Sequence, residues 1–489
     1  MPVPLSLPRL VVAGGSGDSG KTLVALGLAL WAQETGLEIR GFKKGPDYID
    51  AAWLGWAASR PAHNLDTFLM GFPRAVSSFA HHATPDGLNV IEGNRGLYDG
   101  LDAVGSHSTA ELAKILRAPV LLVVNAAKTT RTAAAWVLGC QKLDPEVVIG
   151  GVILNYVAGA RHERVVRESI ESICGVPVLG VVPKAPGDLL LPERHLGLVT
   201  PEEHPALDQL RANIAGLLRD RLDYPRIIEL ARKCPAFLAP AETQHRPIDG
   251  SGLRIGYLRD SALTFYYPEN LEGLEAAGVE LIPISALTAP ALPAGLHALY
   301  IGGGFPETHA AALSGNHRFL RSLQDAARHG LPIYAECGGL MLLSRAIRWQ
   351  GRRFEMAAVL PFEVEVLAKP QGHGYTELTV DALNPFFERG MVIKGHEFHY
   401  SRILLNGEAP RTACAVGRGT GCYGGRDGVV AGNVFAGYTH VHALATPEWV
   451  HGMIIAARRF AGRLQSGGLH EQTGTPTWES RIKAASPGR

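Results

Sequence analysis

Residues 15–22, with the sequence GSGDSGKT, constrain the fold more than any other feature of the chain. They match the pattern GxxxxGK[ST] in full and lie between an apolar run, RLVVAG, and a predicted helix, LVALGLALWAQ. A loop of this kind surrounds phosphate groups with backbone N–H groups and a helix N-terminus, so it needs a strand before it and a helix after it. An ordinary glycine-rich turn would require neither the lysine nor the threonine. The motif therefore predicts a nucleotide-binding P-loop in an α/β sheet.

The loop and one nearby carboxylate have separate expected roles. Lys21 is expected to reach the β- and γ-phosphates of ATP, and Thr22 is expected to hold Mg²⁺. Glu92 ends another apolar run, LNVIEG, where a P-loop enzyme places a carboxylate that directs Mg²⁺. Beside a P-loop, this role is favoured over that of a solvated or helix-capping glutamate. The residues predicted to bind ATP are Gly15, Ser16, Gly17, Asp18, Ser19, Gly20, Lys21 and Thr22.

The chain has 489 residues, which is too many for one hydrophobic core, since single cores stop growing near about 300 residues. Up to about residue 183, apolar runs such as APVLLVVN and VVIGGVILN alternate with helix-length stretches, which is typical of a parallel sheet covered on both faces. This pattern predicts a doubly wound α/β domain over residues 1–235, with a helical stretch at 205–233. Residues 41–70 have the composition of a polar loop with a few core aromatics. A segment rich in Pro, Gly and polar residues predicts a linker over 236–250.

The alternation restarts after the linker with LRIGYLRD, VELIPIS and HALYIGGG, and the chain becomes rich in strand patterns near its end. We therefore predict a second α/β domain, with some antiparallel strands, over residues 251–463. The polar and aperiodic tail, residues 464–489, is expected to be disordered.

Composition excludes several classes of partner. Lys plus Arg total 47 and Asp plus Glu total 46, so the net charge gives no reason to expect nucleic acid or an anionic membrane. No apolar run approaches the roughly 20 residues that span a bilayer, and the N-terminus lacks the pattern of a signal peptide. The six cysteines contain no CxxC pair, which fits neither a zinc ribbon nor a disulfide scaffold. We expect a cytoplasmic protein, whose oligomeric state stays open with a homodimer as one option.

The second domain carries a separate chemical signal around Cys337. In LPIYAECGGLMLLS an apolar strand ends at this cysteine and a helix follows two glycines, which is typical of a nucleophile elbow with a thiol in place of a hydroxyl. The N–H of Gly338 could then point toward an oxyanion. A base must take the thiol proton, and the strand GYTHVH offers His440 and His442 on the same face, so that spacing alone does not choose between them. The glycine turn after HALYI, which includes Gly303 and Gly304, could supply the other oxyanion donor, although a simple turn has the same composition.

Nine segments together resemble the cobyrinic acid a,c-diamide synthase family in type and order: GGSGDSGKT, FKKGPDYID, NLDTFLM, IEGNRGLYDG, LPERHLGL, FYYPENLEGLEAAG, YIGGGFPE, YAECGGLMLLS and GYTHVHA. The resemblance covers residues 9 to about 460. It implies a P-loop domain like dethiobiotin synthetase, followed by a class I glutamine amidotransferase domain. It also implies glutamine as ammonia donor and ATP-dependent amidation of carboxylates on a tetrapyrrole, through an acyl phosphate.

The resemblance also implies roles for individual residues. Cys337 would be the glutaminase nucleophile and His440, rather than His442, its base. Gly303 and Gly304 match the oxyanion-side turn, and Thr22 and Glu92 match the magnesium positions. Asp47, Tyr48, Asp50 and Asp99 match residues of the synthetase site, which would bind the tetrapyrrole polycarboxylate. We assign Lys44 and Arg95 to the same site, although both depart from the family pattern.

Three departures from the family pattern bear on which substrate the protein would accept. Lys44 stands where the family usually has a small apolar residue, the pair Asn94-Arg95 replaces an apolar pair, and His63 replaces an arginine. Added cations in a pocket for a polycarboxylate could change which acid group is presented, and Lys43, Lys44, Arg60 and Arg95 are the candidates for its wall. We therefore expect a divergent member, similar to the siroheme amidase of sulfur-oxidising bacteria, that acts on siroheme, a sirohydrochlorin or cobyrinic acid.

Two other functions stay open at this point. One is a P-loop ATPase of the ParA/MinD type with an inactive amidotransferase domain, although Ser16 occupies the place of the signature lysine of those proteins. The other is amidation of a peptidoglycan precursor, against which FKKGPDYID and LPERHLGL favour the tetrapyrrole branch.

Overall fold

The computed structural model describes residues 6–184, 193–194, 197–237, 248–405 and 407–465. The chain divides into two compact units, Met1–Gln244 and His245–Arg489. The domain limits expected from the sequence, residues 235 and 251, lie on either side of this division. Most of the expected linker, and the expected tail beyond residue 465, lie outside the described residues.

The first unit is built on a parallel sheet whose strand order is β3-β2-β4-β1-β5-β6-β7. All pairs of neighbouring strands in this sheet are parallel. Side chains of β1 alternate between two cores, since Val11 packs into one and Val12 into the other, so helices cover both faces. The predicted doubly wound fold is confirmed. The strands are β1 (Arg9–Gly14), β2 (Ile39–Lys44), β3 (His63–Leu65), β4 (Leu88–Gly96), β5 (Val120–Asn125), β6 (Ile149–Val157) and β7 (Val178–Pro183), with a separate short pair, β8 (Glu193–Arg194) and β9 (Gly197–Leu198).

Several helices of this unit begin at a residue whose side chain caps the first turn. Asp47 and Asp66 each accept two backbone N–H groups at the start of a helix, so residues 41–70, which look like a polar loop by composition, form strand and helix instead. The stretch 205–233 forms two helices because Pro225 has no amide hydrogen and Asp223 caps a new first turn. The helices are α1 (Lys21–Thr35), α2 (Tyr48–Ala58), α3 (Thr67–His82), α4 (Thr109–Ile115), α5 (Thr132–Leu143), α6 (Ala160–Cys174), α7 (Leu207–Leu218) and α8 (Tyr224–Arg232), with a 3₁₀ turn at Pro201–Glu203.

The second unit contains a ten-stranded mixed sheet of order β11-β10-β12-β13-β22-β21-β20-β17-β18-β23 and a four-stranded sheet of order β15-β14-β16-β19. The large sheet is parallel from β11 to β22 and antiparallel beyond it, as predicted. The strands are β10 (Arg254–Leu258), β11 (Glu280–Ile284), β12 (Ala298–Ile301), β13 (Ile333–Glu336), β14 (Ala346–Trp349), β15 (Arg352–Glu355), β16 (Glu363–Val366), β17 (Gly372–Val380), β18 (Val392–His399), β19 (Ser401–Leu404), β20 (Thr412–Arg418), β21 (Arg426–Ala431), β22 (Val434–Gly437) and β23 (His440–Val441).

The helices of the second unit are α9 (Pro268–Ala276), α10 (Ala310–Gly315), α11 (His317–Arg328), α12 (Gly338–Leu343) and α13 (Glu448–Gln465). Parallel strands β12 and β13 are neighbours, so the glycine turn after one and Cys337 after the other emerge at the same edge of the sheet. Within the described parts of the chain, no helix combines the length and apolar character that crossing a bilayer requires.

Candidate active sites

The P-loop of the first unit joins β1 to α1 and has the backbone shape that phosphate binding needs. Gly20 caps α1 with a φ of 95°, and a side chain there would overlap Asn155, whose Nδ2 donates to the carbonyl of Ser19 at 2.9 Å. Gly15 and Gly17 have no atom close to where a Cβ would stand. The loop is therefore anchored at its helical end and open on its outer side.

A buried cluster of charged groups lies beside the loop. Thr22 Oγ1 donates to Glu92 Oε1 at 2.6 Å, and Lys43 Nζ lies 3.1 Å from the same oxygen and 2.5 Å from Asp50 Oδ2. Burial acts to lower the pKa of Lys43, but Asp50 and Glu92 outweigh burial and raise it well above its ordinary value. Burial raises the pKa of Glu92 to about 7, although Lys43 opposes the shift. Lys43 therefore pairs with these two carboxylates, and its expected role in the wall of a cationic substrate pocket stays a prediction.

The predicted magnesium position fits a divalent cation in its donor set. Thr22 supplies a hydroxyl and Glu92 a carboxylate, which are the hard oxygen ligands that Mg²⁺ prefers. Glu92 Oε2 is buried and has no hydrogen-bond partner among the described residues, so one of its oxygens is left for a further ligand. The residues present therefore fit the ion.

The residues assigned to the synthetase site occupy the carboxyl ends of β2 and β4. Asp47 caps α2, Tyr48 is buried in the first turn of α2, and Asp99 accepts the amide of Gly96 at 2.8 Å. Asp50 joins the cluster around Glu92 through Lys43, whose ammonium contacts both carboxylates. Burial raises the pKa of Asp47 to about 6, and the nearby Asp50 adds to the rise.

The two added cations differ in exposure. Lys44 is 5% exposed, burial lowers its pKa, and its Nζ makes no hydrogen bond to any residue that the structure describes. Arg95 is exposed and adopts a left-handed backbone with a φ of 49°. Burial is the main cause of the lowered pKa of Lys44, and the positive charge of Arg95 adds to the lowering.

In the second unit, Cys337 has the strained backbone of a nucleophile elbow. It connects β13 to α12 with a φ of 47° and a ψ of −102°. A Cβ atom on Gly338 would lie 2.9 Å from the nitrogen of Gly304, and one on Gly339 would lie 2.5 Å from the carbonyl oxygen of Ile301, so glycine is required at both positions. Burial raises the pKa of the Cys337 thiol far above its ordinary value, and nearby carboxylates add to the rise. Both effects favour the protonated thiol over the thiolate.

The spacing in the sequence does not choose between His440 and His442 as the base, but in the structure the two histidines have different partners. His440 Nδ1 lies 3.5 Å from Glu336 Oε2, whereas His442 Nε2 lies 3.6 Å from Glu269 Oε2. A Cβ atom on Gly303 would lie 2.5 Å from His440 Cε1. His440 is thus packed against the glycine turn, and Gly304 of that turn approaches Gly338 beside the thiol.

Sequence reasoning missed two residues of this site. Glu336 is fully buried, accepts a hydrogen bond from the amide of Val441 at 3.0 Å and faces His440. The sequence indicates this role only by placing a carboxylate next to the cysteine in YAECGG. His396 stacks on His440 with ring centroids 4.9 Å apart, and Tyr267 Oη lies 3.0 Å from its Nδ1. That contact depends on the register of β18 with β23, which the sequence did not specify.

Comparison with known proteins finds relatives of both units. Residues 10–199 match the family model of the CobQ/CobB/MinD/ParA nucleotide binding domain, and residues 254–448 match that of the CobB/CobQ-like glutamine amidotransferase domain. A cobyrinate a,c-diamide synthase of Magnetococcus marinus is 42% identical over 91% of this chain and 96% of its own length. Those of Archaeoglobus fulgidus and Syntrophotalea carbinolica are each 40% identical over 91% of this chain, and over 96% and 97% of their own lengths.

These matches extend over both units and include the P-loop and the cysteine elbow. The protein is a glutamine-dependent amidating ligase with a nucleotide-binding domain, and the chain belongs to the cobyrinate a,c-diamide synthase family.

Proposed function

We propose that this protein uses ATP and glutamine to amidate one or more peripheral carboxylates of a tetrapyrrole. The proposal depends on one observation: the same chain carries two reactive arrangements. One is a P-loop joined to a buried Thr22–Glu92 pair, and the other is a cysteine elbow with His440 and Glu336. The first arrangement activates an acid and the second releases ammonia, and amide formation from a carboxylate requires both.

In the first half of the reaction the carboxylate must be made electrophilic, because a carboxylate at neutral pH is a poor acceptor. Transfer of the γ-phosphoryl group from ATP to a carboxylate oxygen gives an acyl phosphate and ADP. Lys21 and the loop amides would hold the phosphates, and Thr22 and Glu92 would hold Mg²⁺, whose charge stabilises the phosphates when it is bound. Lys43 would keep Glu92 and Asp50 in place, since its ammonium contacts both carboxylates.

In the second half, Cys337 would attack the side-chain amide of glutamine. Glu336 faces Nδ1 of His440, which leaves Nε2 to take the thiol proton and pass it to the departing nitrogen. The products are ammonia and a glutamyl thioester, which water hydrolyses to glutamate. The amide of Gly338 and the turn at Gly303 and Gly304 would stabilise the oxyanion. Ammonia then displaces phosphate from the acyl phosphate and forms the amide.

The relatives and this chain's own residues favour different macrocycles. The relatives' names favour cobyrinic acid as the acceptor. A siroheme or sirohydrochlorin is the second candidate, because Lys44 is a buried ammonium without a hydrogen-bond partner among the described residues and Arg95 lies near it. Both classes of compound are polycarboxylates, so the same chemistry applies to either.

The test is to incubate purified protein with ATP, Mg²⁺ and glutamine in the presence of cobyrinic acid, siroheme, sirohydrochlorin or a peptidoglycan precursor, and to detect amides by mass spectrometry. Amidation of cobyrinic acid alone would eliminate the siroheme candidate. Amidation of the peptidoglycan precursor alone, or ATP hydrolysis with no amide from any acceptor, would refute the tetrapyrrole proposal. The matched control is Cys337→Ala with ammonium chloride, which should form product without glutamine.

A further inference from the structure

An open cavity of about 530 Å³ lies in the first unit beside the P-loop. Its volume is within the range of roughly 300–1,000 Å³ that is usual for small-molecule sites. One wall is the outer face of α5, and the other is formed by β5 and the turn after β4. Its lining residues are Gly15, Ser16, Tyr98, Leu122, Val124, Asn125, Ala127, Ala135, Trp136, Gly139, Cys140 and Leu143.

The cavity borders the end of the P-loop where the terminal phosphate of ATP belongs. Lys21 Nζ donates to the carbonyl of Ser16 at 3.4 Å, and the P-loop lysine is the group that reaches the β- and γ-phosphates. Ser16 therefore marks the γ-phosphate end of the loop, and both Ser16 and Gly15 line the cavity. An acceptor group must approach the γ-phosphate in line and at close range, so this cavity adjoins the place where the acceptor must lie.

The walls of the cavity are chemically unsuited to an anion. No charged side chain is found among the lining residues. Trp136 is 49% exposed and Leu143 is 69% exposed, which is high for large apolar side chains. Tyr98 closes one side, where its hydroxyl donates to the carbonyl of Cys140 at 2.5 Å. A ligand with a broad apolar face would cover this surface, whereas a free phosphate or a small carboxylate would gain nothing from it.

We infer that this cavity binds the apolar face of the tetrapyrrole macrocycle against Trp136, so that a peripheral carboxylate extends past Ser16 to the γ-phosphate of ATP. The inference rests on the proposed function, since it names where that substrate sits. The macrocycle supplies the broad apolar face, and its acidic side chains leave the ring plane toward the polar rim formed by the loop. The base of ATP is excluded as occupant because it lies at the other end of the triphosphate.

Gly139 allows a direct test without damage to the fold. It lies on the exposed face of α5 and no atom stands within 4 Å of where its Cβ would be, so Gly139→Leu places a side chain in the cavity without a clash. Gly216→Leu is the matched control, because Gly216 lies within α7 of the same unit with equally open surroundings and does not line the cavity. Both changes replace glycine in a helix, so both proteins should fold.

Macrocycle binding is measured by quenching of tryptophan fluorescence, and turnover is measured with ATP and ammonium chloride. For the macrocycle that the wild type amidates, we expect Gly139→Leu to raise Kd and KM at least about tenfold, with the KM for ATP and the glutaminase rate unchanged. Gly216→Leu should behave as the wild type. Trp136→Phe should reduce the amplitude of quenching, as the macrocycle would stack on that indole.

Several outcomes would overturn the inference. If the wild type amidates a tetrapyrrole and Gly139→Leu binds it equally well, the proposed function stands and the cavity is not the substrate site. Weaker ATP binding with an unchanged Kd for the macrocycle would make the cavity a nucleotide subsite. If Gly139→Leu changes the molar mass measured by light scattering but leaves the Kd for the macrocycle unchanged, the cavity is an interface between copies of this chain. A wild type that binds no tetrapyrrole would refute both the proposed function and this inference.

Discussion

Substitution of Gly303 by alanine should disable glutamine use through a single steric contact. The added Cβ would lie 2.5 Å from His440 Cε1, while its next neighbours, Phe265 Cδ2 at 3.3 Å and His440 Nε2 at 3.4 Å, are close to ordinary contact. Carbon atoms pack best at roughly 3.5–4.0 Å, so the imidazole must move by about 1 Å. Gly303 does not have a positive φ, so alanine brings no backbone strain, and its N–H remains available to an oxyanion.

The imidazole has little freedom to absorb this shift. The ring of His396 stacks on its face at 4.9 Å, and the buried carboxylate of Glu336 lies 3.5 Å from Nδ1. A displacement of about 1 Å therefore moves Nε2 relative to the thiol of Cys337. A misplacement of that size can cost about 10²-fold in rate, which corresponds to about 2.7 kcal/mol of transition-state stabilisation.

The assay compares amidation driven by glutamine with amidation driven by ammonium chloride. For Gly303→Ala we expect the glutamine-driven kcat to fall about 10²-fold and the ammonia-driven rate to stay unchanged, because the P-loop unit is intact. Gly315→Ala is the control in the same unit, since Gly315 ends α10 and has no atom within 4 Å of its Cβ position. A glutamine-driven rate within a factor of about two of wild type would refute the assignment of His440 as the base.

Three further predictions follow from the buried charges. Glu336→Gln keeps the shape but removes the charge that faces His440, so glutamine-driven kcat should fall about tenfold or more with ammonia use unchanged; an unaffected kcat would contradict this role. Lys43→Met should lower the free energy of unfolding in urea by about 3–5 kcal/mol because it leaves buried carboxylates unpaired, whereas Lys233→Met, at an exposed ion pair, should have little effect. Without glutamine, alkylation of Cys337 by iodoacetamide should stay slow up to pH 9, because its raised pKa keeps the thiol protonated; fast labelling at pH 7, identified by mass spectrometry, would contradict this.

The fold and the reactive groups were predictable because they depend on local pattern. The P-loop needs a strand, a loop and a helix in succession, and the cysteine elbow needs the same order, so their sequences specify their geometry. The alternation of apolar runs likewise specified a parallel sheet in the first unit and a mixed sheet in the second. The P-loop and the elbow each lie within some twenty consecutive residues, and the alternation repeats one local pattern along the chain.

Contacts between distant strands were not predictable in the same way. The choice between His440 and His442 depends on which buried carboxylate each one meets, and those carboxylates, Glu336 and Glu269, stand far away in the chain. Likewise the stack of His396 on His440 exists only because β18 pairs with β23 in one register. A shift of that register by one residue would place the ring on the opposite face of the sheet.

Lys43 shows how burial and ion pairing change what a charged side chain can do. By composition, Lys43 and Lys44 are two adjacent cations, and both were candidates for binding an acidic substrate. Alternation along β2 directs successive side chains to opposite faces of the sheet, so Lys43 meets Asp50 and Glu92 while Lys44 does not. An ammonium that already contacts two carboxylates attracts a third less strongly. Lys44 makes no such hydrogen bond to the described residues, although Asp66 acts to raise its pKa, so its charge is the more available of the two to an anionic substrate. Lys44→Met should therefore weaken binding of a polycarboxylate more than binding of ATP. Equal weakening of both in titrations at matched ionic strength would place the charge of Lys44 at the nucleotide instead.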